Sequence, residues 1–281
     1  MKLLTLNCHS WMEEYQEEKI KIIAKTIKEK SYDVIALQEI NQTINEDIAF
    51  SNIKQDNFAL VLIQELEKLG CSEYTMLWDF SHIGYDKYEE GLSIITKHKI
   101  IEEGTYSFFI SSSKDREFWK TRKVIGASIK VDKQIIDFYS CHLGWWEDEE
   151  EPFRKQVDKL LSNMKKDRLT FLMGDFNNNA LTRDEGYDYL MGKGIRDTYS
   201  LAKEKDCGIT VKGEIDGWDA NKNDLRLDLI LANKEVDVNY SKVIFNDKNG
   251  PVVSDHYGVE IDFNDISEGK SPTSISGSYM L

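Results

Sequence analysis

Residues 169–178 have the sequence LTFLMGDFNN. The apolar run 169–173 predicts a buried strand, and Gly174 lets the backbone turn where the strand ends. Asp175 and Asn177 stand at positions i and i+2, so they point to the same face of an extended chain. An acid and an amide placed in this way suit the positioning of a water molecule and a phosphoryl oxygen. The same two residue types also form ordinary turns, so this motif alone leaves both interpretations open.

Polar side chains recur at the ends of other predicted strands along the chain: Asn7, Glu39, His142, Asp228, Asp255 and His256. The pattern predicts more strands than helices, with helices at about 16–30, 57–69 and 183–191 and a further one opened by Pro152. This order suits two packed sheets with helices outside. We expect one domain over residues 1–264, followed by a polar tail, 265–281.

The composition excludes several classes of protein. The chain has 281 residues, 41% of them hydrophobic, which is enough to build a large core and excludes wholesale disorder. The formal net charge of −14 argues against nucleic-acid binding through phosphate neutralisation and against docking on an anionic membrane. No export signal or membrane-spanning run is recognisable, and the four cysteines form no CxxC, so the sequence predicts a reduced, cytoplasmic setting.

The histidines and acids at strand ends are candidates for chemistry. His256 is the best general-base candidate because imidazole titrates near neutrality. Asp228 would be a buried carboxylate that either orients a histidine or forms a salt bridge with Arg226. Glu39 is either a surface cap or a ligand for a hard cation. His82 and His98 lie in polar or basic surroundings and are expected at the surface, and His9 stays open because it is close to the first strand end.

A series of short motifs occurs in a defined order along nearly the whole chain: Leu6-Asn7, Gln38-Glu39, Glu90-Gly91-Leu92, Ser140-Cys141-His142-Leu143, Gly174-Asp175-Phe176-Asn177, Arg226-Leu227-Asp228 and Ser254-Asp255-His256. Each motif is weak, but the ordered series resembles the endonuclease/exonuclease/phosphatase superfamily. The resemblance implies an α/β fold, a four-layer sandwich with two central, mainly antiparallel sheets and outer helices.

The resemblance also implies roles for the matched residues. Glu39 would be the principal ligand of Mg²⁺, or of Mn²⁺ in its place, assisted by Asn7 and Asp255. His256 would activate water as the general base, oriented by Asp228.

The remaining matched residues are those that would act on the phosphoryl group. Asp175 and Asn177 would position the nucleophile and a phosphoryl oxygen. His142 would stabilise the phosphoryl group or the leaving oxygen, with Glu90 as its partner. Arg122, in the basic stretch 114–123, matches less securely an arginine that contacts phosphate.

Two tryptophans, Trp145 and Trp146, directly follow the His142 motif, and a further tryptophan, Trp218, precedes Asp228. Indole faces stack on sugar rings, and the nearby acids 147–151 can accept hydrogen bonds from sugar hydroxyls. The alternatives are that the tryptophans pack in the core or touch a membrane, and that the acids favour the N-terminus of the following helix.

The run His-Leu-Gly-Trp-Trp, followed by the helix start Glu-Pro-Phe, resembles the bacterial maltose 6′-phosphate phosphatases of this superfamily. This resemblance implies a cytoplasmic phosphomonoester hydrolase that converts a sugar phosphate, maltose 6′-phosphate, to maltose and phosphate, with neither nucleic acid nor membrane as a partner. A phosphodiesterase of the same superfamily, sphingomyelinase-like or a nuclease, is the alternative. A non-enzymatic binding module is the third reading.

Overall fold

The structure is a computed structural model that describes residues 1–131 and 134–264, and it leaves the side chains of residues 102 and 103 undescribed. The polar tail expected at 265–281 therefore lies outside the described residues. Within the described chain, none of the helices has the length and apolar character needed to cross a bilayer.

The described residues form short helices and many strands. The helices are α1 (Gln16–Lys30), α2 (Phe58–Lys68), α3 (Phe153–Asn163), α4 (Gly186–Gly192) and α5 (Thr198–Leu201). The strands are β1 (Lys2–Asn7), β2 (Val34–Thr43), β3 (Ile48–Phe50), β4 (Ile53–Lys54), β5 (Thr75–Gly84), β6 (Tyr88–Thr96), β7 (Ile100–Phe109), β8 (Lys123–Val131), β9 (Gln134–His142), β10 (Leu169–Asp175), β11 (Arg196–Asp197), β12 (Glu204–Lys205), β13 (Val211–Lys212), β14 (Asp224–Leu225), β15 (Asp228–Ala232), β16 (Val238–Ile244) and β17 (Gly258–Phe263).

Two large sheets form the centre of the described chain. The first has the strand order β12-β16-β17-β1-β2-β6-β5, and the second has the order β11-β15-β10-β9-β8-β7. Neighbouring strands in these sheets run antiparallel except in the pairs β1–β2, β9–β10 and β12–β16. The two parallel pairs β1–β2 and β9–β10 are each joined through a helix, α1 or α3, as parallel strands require a crossover connection.

Alternation of side chains along the strands separates three apolar layers. In β2, Ile35 and Leu37 face helices α1 and α2, whereas Val34 and Ala36 face the second sheet. On the far side, Leu172 of β10 packs with α3 and α4. The layers are therefore helix, sheet, sheet and helix, which confirms the predicted four-layer sandwich with mainly antiparallel sheets.

The long elements follow the sequence pattern closely. Helix α1 covers the predicted range 16–30, and α3 starts after Pro152, as its fixed backbone angle favours. Helix α4 starts at Gly186 rather than at 183, because Asp184 has a left-handed backbone (φ 63°) that a helix cannot include. The two-residue strands β11–β14 carry no periodic pattern and were not expected.

The end of β10 shows why a glycine precedes the acid. Gly174 has φ +149°, and a Cβ built on it would lie 1.9 Å from the carbonyl oxygen of Cys141 on β9. Only glycine allows this approach. It brings Asp175 into register with His142 of β9 and Asp228 of β15, so three polar side chains meet at one end of three adjacent strands.

We predict that Gly174→Ala destabilises the protein by about 3 kcal/mol or more, because the new methyl group collides with backbone that cannot rotate away. Thermal unfolding followed by circular dichroism measures the effect. Gly192→Ala is the matched control, since a Cβ there meets nothing within 4 Å. Equal melting temperatures for the two variants would contradict the steric argument.

Candidate functional site

A cavity of about 250 Å³ opens at the strand ends that carry the predicted polar residues. Eight residues singled out from the sequence line it: Glu39, Glu90, Arg122, His142, Trp145, Asp175, Asn177 and His256. The structure therefore brings together residues that are up to 217 positions apart in the chain, as the strand-end pattern predicted for most of them.

Asp175 lies at the centre of this site and is almost completely buried. Its Oδ1 accepts a hydrogen bond from the backbone N–H of Asn177 (2.8 Å), and its Oδ2 accepts one from Asn7 Nδ2 (3.3 Å). The Nε2 atoms of His142 and His256 each lie 3.7 Å from Oδ2. Burial raises the pKa of Asp175 to about 6, against the opposing effect of His256.

His256 and Asp228 form the pair that the sequence predicted. His256 Nδ1 lies 2.9 Å from Asp228 Oδ2, which leaves Nε2 facing Asp175 and the cavity. Burial lowers the pKa of His256, but the charges of Asp228 and Asp175 outweigh burial and hold the pKa well above its usual value. Asp228 can therefore fix the orientation of the imidazole ring and strengthen it as a base.

Asn177 is held in place by three neighbours. It has a left-handed backbone (φ 48°), its Nδ2 donates to the Leu143 carbonyl (2.9 Å), and Nδ2 also lies 3.2 Å from His142 Nε2. Its Oδ1 accepts a hydrogen bond from Trp218 Nε1 (2.8 Å). Trp218 was predicted to contact substrate. In the structure it lies outside the cavity lining and orients Asn177, because its only polar atom is bonded to that amide.

His142 is kept neutral by its surroundings. Burial lowers its pKa well below the usual value, and the positive charges of Arg122 and His256 act in the same direction. The predicted pairing of His142 with Glu90 is wrong. Glu90 Oε1 instead lies 3.4 Å from Nε2 of His82, which is buried and lines the cavity rather than lying at the surface as expected.

Two backbone irregularities flank the strand β6 at Gly91 and aim side chains at the cavity. The pairing of β2 with β6 shifts between Leu37 and Ile40, and that of β5 with β6 shifts between Phe80 and His82. Each shift adds one residue beside β6, as in a β-bulge. The first places Glu39, with φ 51°, and the second places His82.

Glu39 is a partly buried acid among other acids. Its pKa is raised to about 8, first by burial and then by the negative charges of Glu90 and Asp255. Its Oε1 accepts a hydrogen bond from Asn7 Nδ2 (2.8 Å). The oxygen of Asn7 accepts from the backbone N–H of His9 (3.1 Å), so in this structure Asn7 presents its nitrogen, not an oxygen, to Glu39.

Asp255 belongs to a small cluster beside Glu39. One of its carboxylate oxygens lies 3.7 Å from His9 Nδ1, and the same His9 atom lies 2.8 Å from Glu13. The backbone N–H of Asp255 donates to Glu13 (3.2 Å). Asp255 is not part of the cavity lining, so its effect on Glu39 is through charge.

Arg122 is a buried guanidinium at the cavity wall. Its Nη1 donates to the carbonyl of Trp119 (2.8 Å), whereas its Nε has no hydrogen-bond partner within the described part of the chain. A buried donor without a partner is costly, which suggests that an acceptor is supplied from outside the protein.

The two adjacent tryptophans have different environments. Trp145 lines the cavity, whereas Trp146 packs in the outer core against Phe153 (ring centroids 6.1 Å apart) and Tyr189 (5.8 Å). Trp146 lies outside the cavity lining, so the structure gives no support to its predicted contact with substrate. The core-packing alternative applies to Trp146 alone.

Several cavity residues carried no signal in the sequence: His82, Gly84, Tyr85, Trp119, Asp216 and Gly217. His82 lies at the bulge in β5, and the others lie in or beside turns, where no hydrophobic periodicity indicates direction. The positive backbone angles of Tyr85 and Gly217 are typical of such turns, but a turn position does not reveal which cavity it faces.

The donor set suits a hard divalent cation. Glu39, Glu90 and Asp175 bring three carboxylates to one cavity, and the raised pKa values of Glu39 and Asp175 show that their negative charges are incompletely compensated by the protein. Oxygen ligands of this kind are those that Mg²⁺ and Mn²⁺ accept. Asp175, Asp228 and His256 also lie close enough together to hold a metal ion.

Comparison with solved structures shows the same architecture in other proteins. An endonuclease/exonuclease/phosphatase family protein from Leptotrichia buccalis C-1013-b is 43% identical, with a TM-score of 0.89 over 94% of this chain and 100% of that chain. A mannosyl-6-phosphatase of Bacteroides thetaiotaomicron VPI-5482 is 16% identical, with a TM-score of 0.68 over 94% of this chain and 100% of that chain. D. rerio TDP2 complexed with a single-strand DNA product is also 16% identical, with a TM-score of 0.63 over 94% and 99%.

At 16% identity the last two proteins show a shared fold only. A search of curated proteins found no match. Residues 11–256 match the model of the Endonuclease/Exonuclease/phosphatase family, whose members are hydrolases that generally depend on a divalent metal. Since the matched segment is most of the chain and the protein from L. buccalis agrees over nearly its full length, this chain belongs to the Endonuclease/Exonuclease/phosphatase family.

Proposed function

We propose that the protein is an Mg²⁺-dependent phosphomonoesterase that releases inorganic phosphate from a sugar phosphate, with maltose 6′-phosphate as the specific substrate. The observation that carries this proposal is the cavity of about 250 Å³, which has charged and hydrogen-bonding groups at its floor and Trp145 in its wall. A cavity of this size suits one small ligand. Its aromatic wall suits the apolar face of a sugar ring.

Glu39 would hold the cation, and the nearby charge of Asp255 would strengthen that site. When bound, a divalent cation neutralises phosphate oxygens, polarises the phosphorus–oxygen bond and, by repulsion, lowers the pKa of neighbouring imidazoles. The roles of the protein's own groups follow from their geometry.

His256 would act as the general base. Its Nδ1 is held by Asp228, so Nε2 faces the cavity and can accept the proton of an attacking water. Asp175, whose Oδ2 lies 3.7 Å from that Nε2, would accept the other hydrogen of the same water and hold it in line with the phosphorus atom.

Asn177, His142 and Arg122 would bind the phosphoryl oxygens. Asn177 is fixed before substrate arrives, because Trp218 and Leu143 hold its amide. A donor that is already oriented costs little reorganisation in the transition state. The unpartnered Nε of Arg122 would find its acceptor in a phosphate oxygen.

Two further observations agree with the proposal, one on the substrate and one on the setting. The mannosyl-6-phosphatase of B. thetaiotaomicron has the same fold, and its name states a sugar-phosphate activity. Cys8, Cys71, Cys141 and Cys207 are all free thiols in the structure, which suits the cytoplasmic setting that we propose for the reaction.

Phosphodiester cleavage is the competing candidate, because D. rerio TDP2, with the same fold, has been captured with a single-strand DNA product. The net charge of −14 opposes a nucleic-acid partner here, since such binding rests largely on neutralising phosphates with basic residues.

We predict that the purified protein with Mg²⁺ releases phosphate from maltose 6′-phosphate more efficiently than from glucose 6-phosphate, because a second ring adds contact with the cavity wall. Hydrolysis of these two sugar phosphates is measured by phosphate release. Cleavage of a model phosphodiester, sphingomyelin and single-stranded DNA is measured by product analysis. Diester cleavage without release of phosphate from either sugar would refute the phosphomonoesterase.

We predict that His256→Ala lowers kcat by about 100- to 10,000-fold, because it removes the base that accepts the proton of water. Steady-state kinetics on maltose 6′-phosphate measures the loss. The control is His98→Ala, since His98 binds Asp33 (2.8 Å) outside the cavity and its loss should leave kcat near the wild-type value. A His256→Ala enzyme with nearly normal kcat would exclude the role as base.

We predict that metal affinity falls as the pH drops below 8. The Glu39 carboxyl, with its pKa of about 8, must lose its proton to bind a cation, so a proton competes with the metal by up to about tenfold per pH unit. Mn²⁺ binding followed by electron paramagnetic resonance between pH 6.5 and 8.5 tests this.

Glu39→Gln should bind Mn²⁺ weakly at every pH. Glu89→Gln is the control, because Glu89 pairs with Lys54 outside the cavity and its loss should leave the pH dependence unchanged. Wild-type affinity that does not vary with pH would disprove the competition.

A further inference from the structure

We infer that Tyr85, Trp119 and Asp216 form, with Trp145, a sugar-binding rim at the mouth of the cavity, which holds the neutral ring of the substrate and determines its specificity. The part of this inference that concerns substrate specificity in catalysis rests on the proposed function. The binding of a neutral sugar to the rim does not depend on catalysis.

The rim is assembled from four separate segments of the chain. Tyr85 lies in the turn between β5 and β6, Trp119 in the connection between β7 and β8, and Trp145 just beyond β9. Asp216 lies in the loop between β13 and β14. All four line the same cavity as His256 and Asp175, but none belongs to a central strand. The rim can therefore vary without disturbing the floor.

Exposure separates the rim from the floor of the cavity. Trp119 is 51% exposed and Tyr85 is 47% exposed, whereas Asp175 and His256 are almost completely buried. Large aromatic side chains left open at a cavity mouth are typical of binding surfaces. The floor therefore suits the phosphate, and the rim suits an uncharged part of the ligand.

The two indoles form an aromatic corner at the cavity mouth, where Arg122 lies 5.9 Å from the ring centroid of Trp145 and Trp119 stays about half exposed. The ring centroids of Trp119 and Trp145 lie 5.8 Å apart with planes at 61°, so the rings meet edge to face and form a corner instead of a stack. Lys120 Nζ lies 5.3 Å from the centroid of Trp119 and is itself held by Asp148 (2.6 Å). An aromatic corner of this kind accommodates the C–H face of a sugar ring.

A hydrogen bond fixes the rim opposite the indoles. The hydroxyl of Tyr85 donates to Oδ2 of Asp216, which joins two loops across the surface. The neighbouring Gly217 lies so close to Trp145 that a Cβ on it would be 2.8 Å from Cζ2 of that ring. The Asp216 loop thus packs on Trp145 and presents an exposed carboxylate beside the aromatic corner.

The charge of the rim selects the class of ligand. Asp216 can accept hydrogen bonds from vicinal hydroxyls, and it repels a second phosphate group. Lys120, a cation close to the rim, is already neutralised by Asp148 and Glu150. A neutral, polyhydroxylated ring satisfies both the aromatic faces and the carboxylate, whereas a nucleic-acid strand brings further phosphates that the carboxylate repels.

The first test compares two substrates in Trp119→Ala and Asp216→Asn. We expect kcat/KM for maltose 6′-phosphate to fall about tenfold more than kcat/KM for glycerol 3-phosphate, which has no ring; tenfold corresponds to about 1.4 kcal/mol. Phe50→Ala, an exposed aromatic outside the cavity lining, is the matched control and should leave both values unchanged. Equal losses of kcat/KM on both substrates, or a larger loss on adenosine monophosphate than on maltose 6′-phosphate, would contradict the proposed role of the rim.

The second test needs no turnover. Saturation-transfer NMR with unphosphorylated maltose should give a signal with the wild type and Phe50→Ala, and a signal reduced several-fold with Trp119→Ala and Asp216→Asn. A wild-type protein that gives no signal, or variants that match it, would refute the inference. If the protein binds maltose in this way but hydrolyses no phosphomonoester, the proposed function is refuted and the inference that the rim binds sugar still holds.

Discussion

The burial of a carboxylate between two sheets is the constraint on which the site depends. Asp175 lies where the ends of three adjacent strands meet, and a buried negative charge must be compensated by donors. The donors come from both sheets: Asn7 from the first, and the backbone of Asn177 just after β10 in the second. The same carboxylate draws the imidazoles of His142 and His256 toward one point, so compensation of one charge assembles most of the floor.

The acids around that floor repel one another, and this unfavourable electrostatic energy remains in the folded protein. Glu39 holds its proton near neutral pH because burial and two neighbouring acids disfavour its charged form. Destabilised carboxylates of this kind are usual where a cation binds. The acidic character of the whole chain is therefore not a property of its surface alone, because part of it is concentrated where a phosphate ester would be processed.

The sequence predicted the strand-end residues well, for a physical reason. Apolar alternation reveals where a strand is buried, and the polar residue that ends it must lie at the edge of the sheet, as it does for Asp175, Asp228 and His142. Position relative to a bulge or within a turn has no such signal. The partner of Glu90, the direction of Trp146 and the cavity position of Trp119 depended on local backbone angles and on distant loops, which no periodicity encodes.

The two irregularities beside β6 have a consequence for how the family fold can diversify. In β2, the residues up to Leu37 pair with β6 in one register. Ile40 and the residues after it pair with β6 in a register shifted by one residue. Gly91 lies between both shifts, where a side chain would meet the backbone of β5 at 2.3 Å. The extra residues act as joints that separate an inner packing frame from an outer frame bearing chemistry. Substitutions beyond the joints can retune the reactive end of the molecule while the apolar layers keep their alignment.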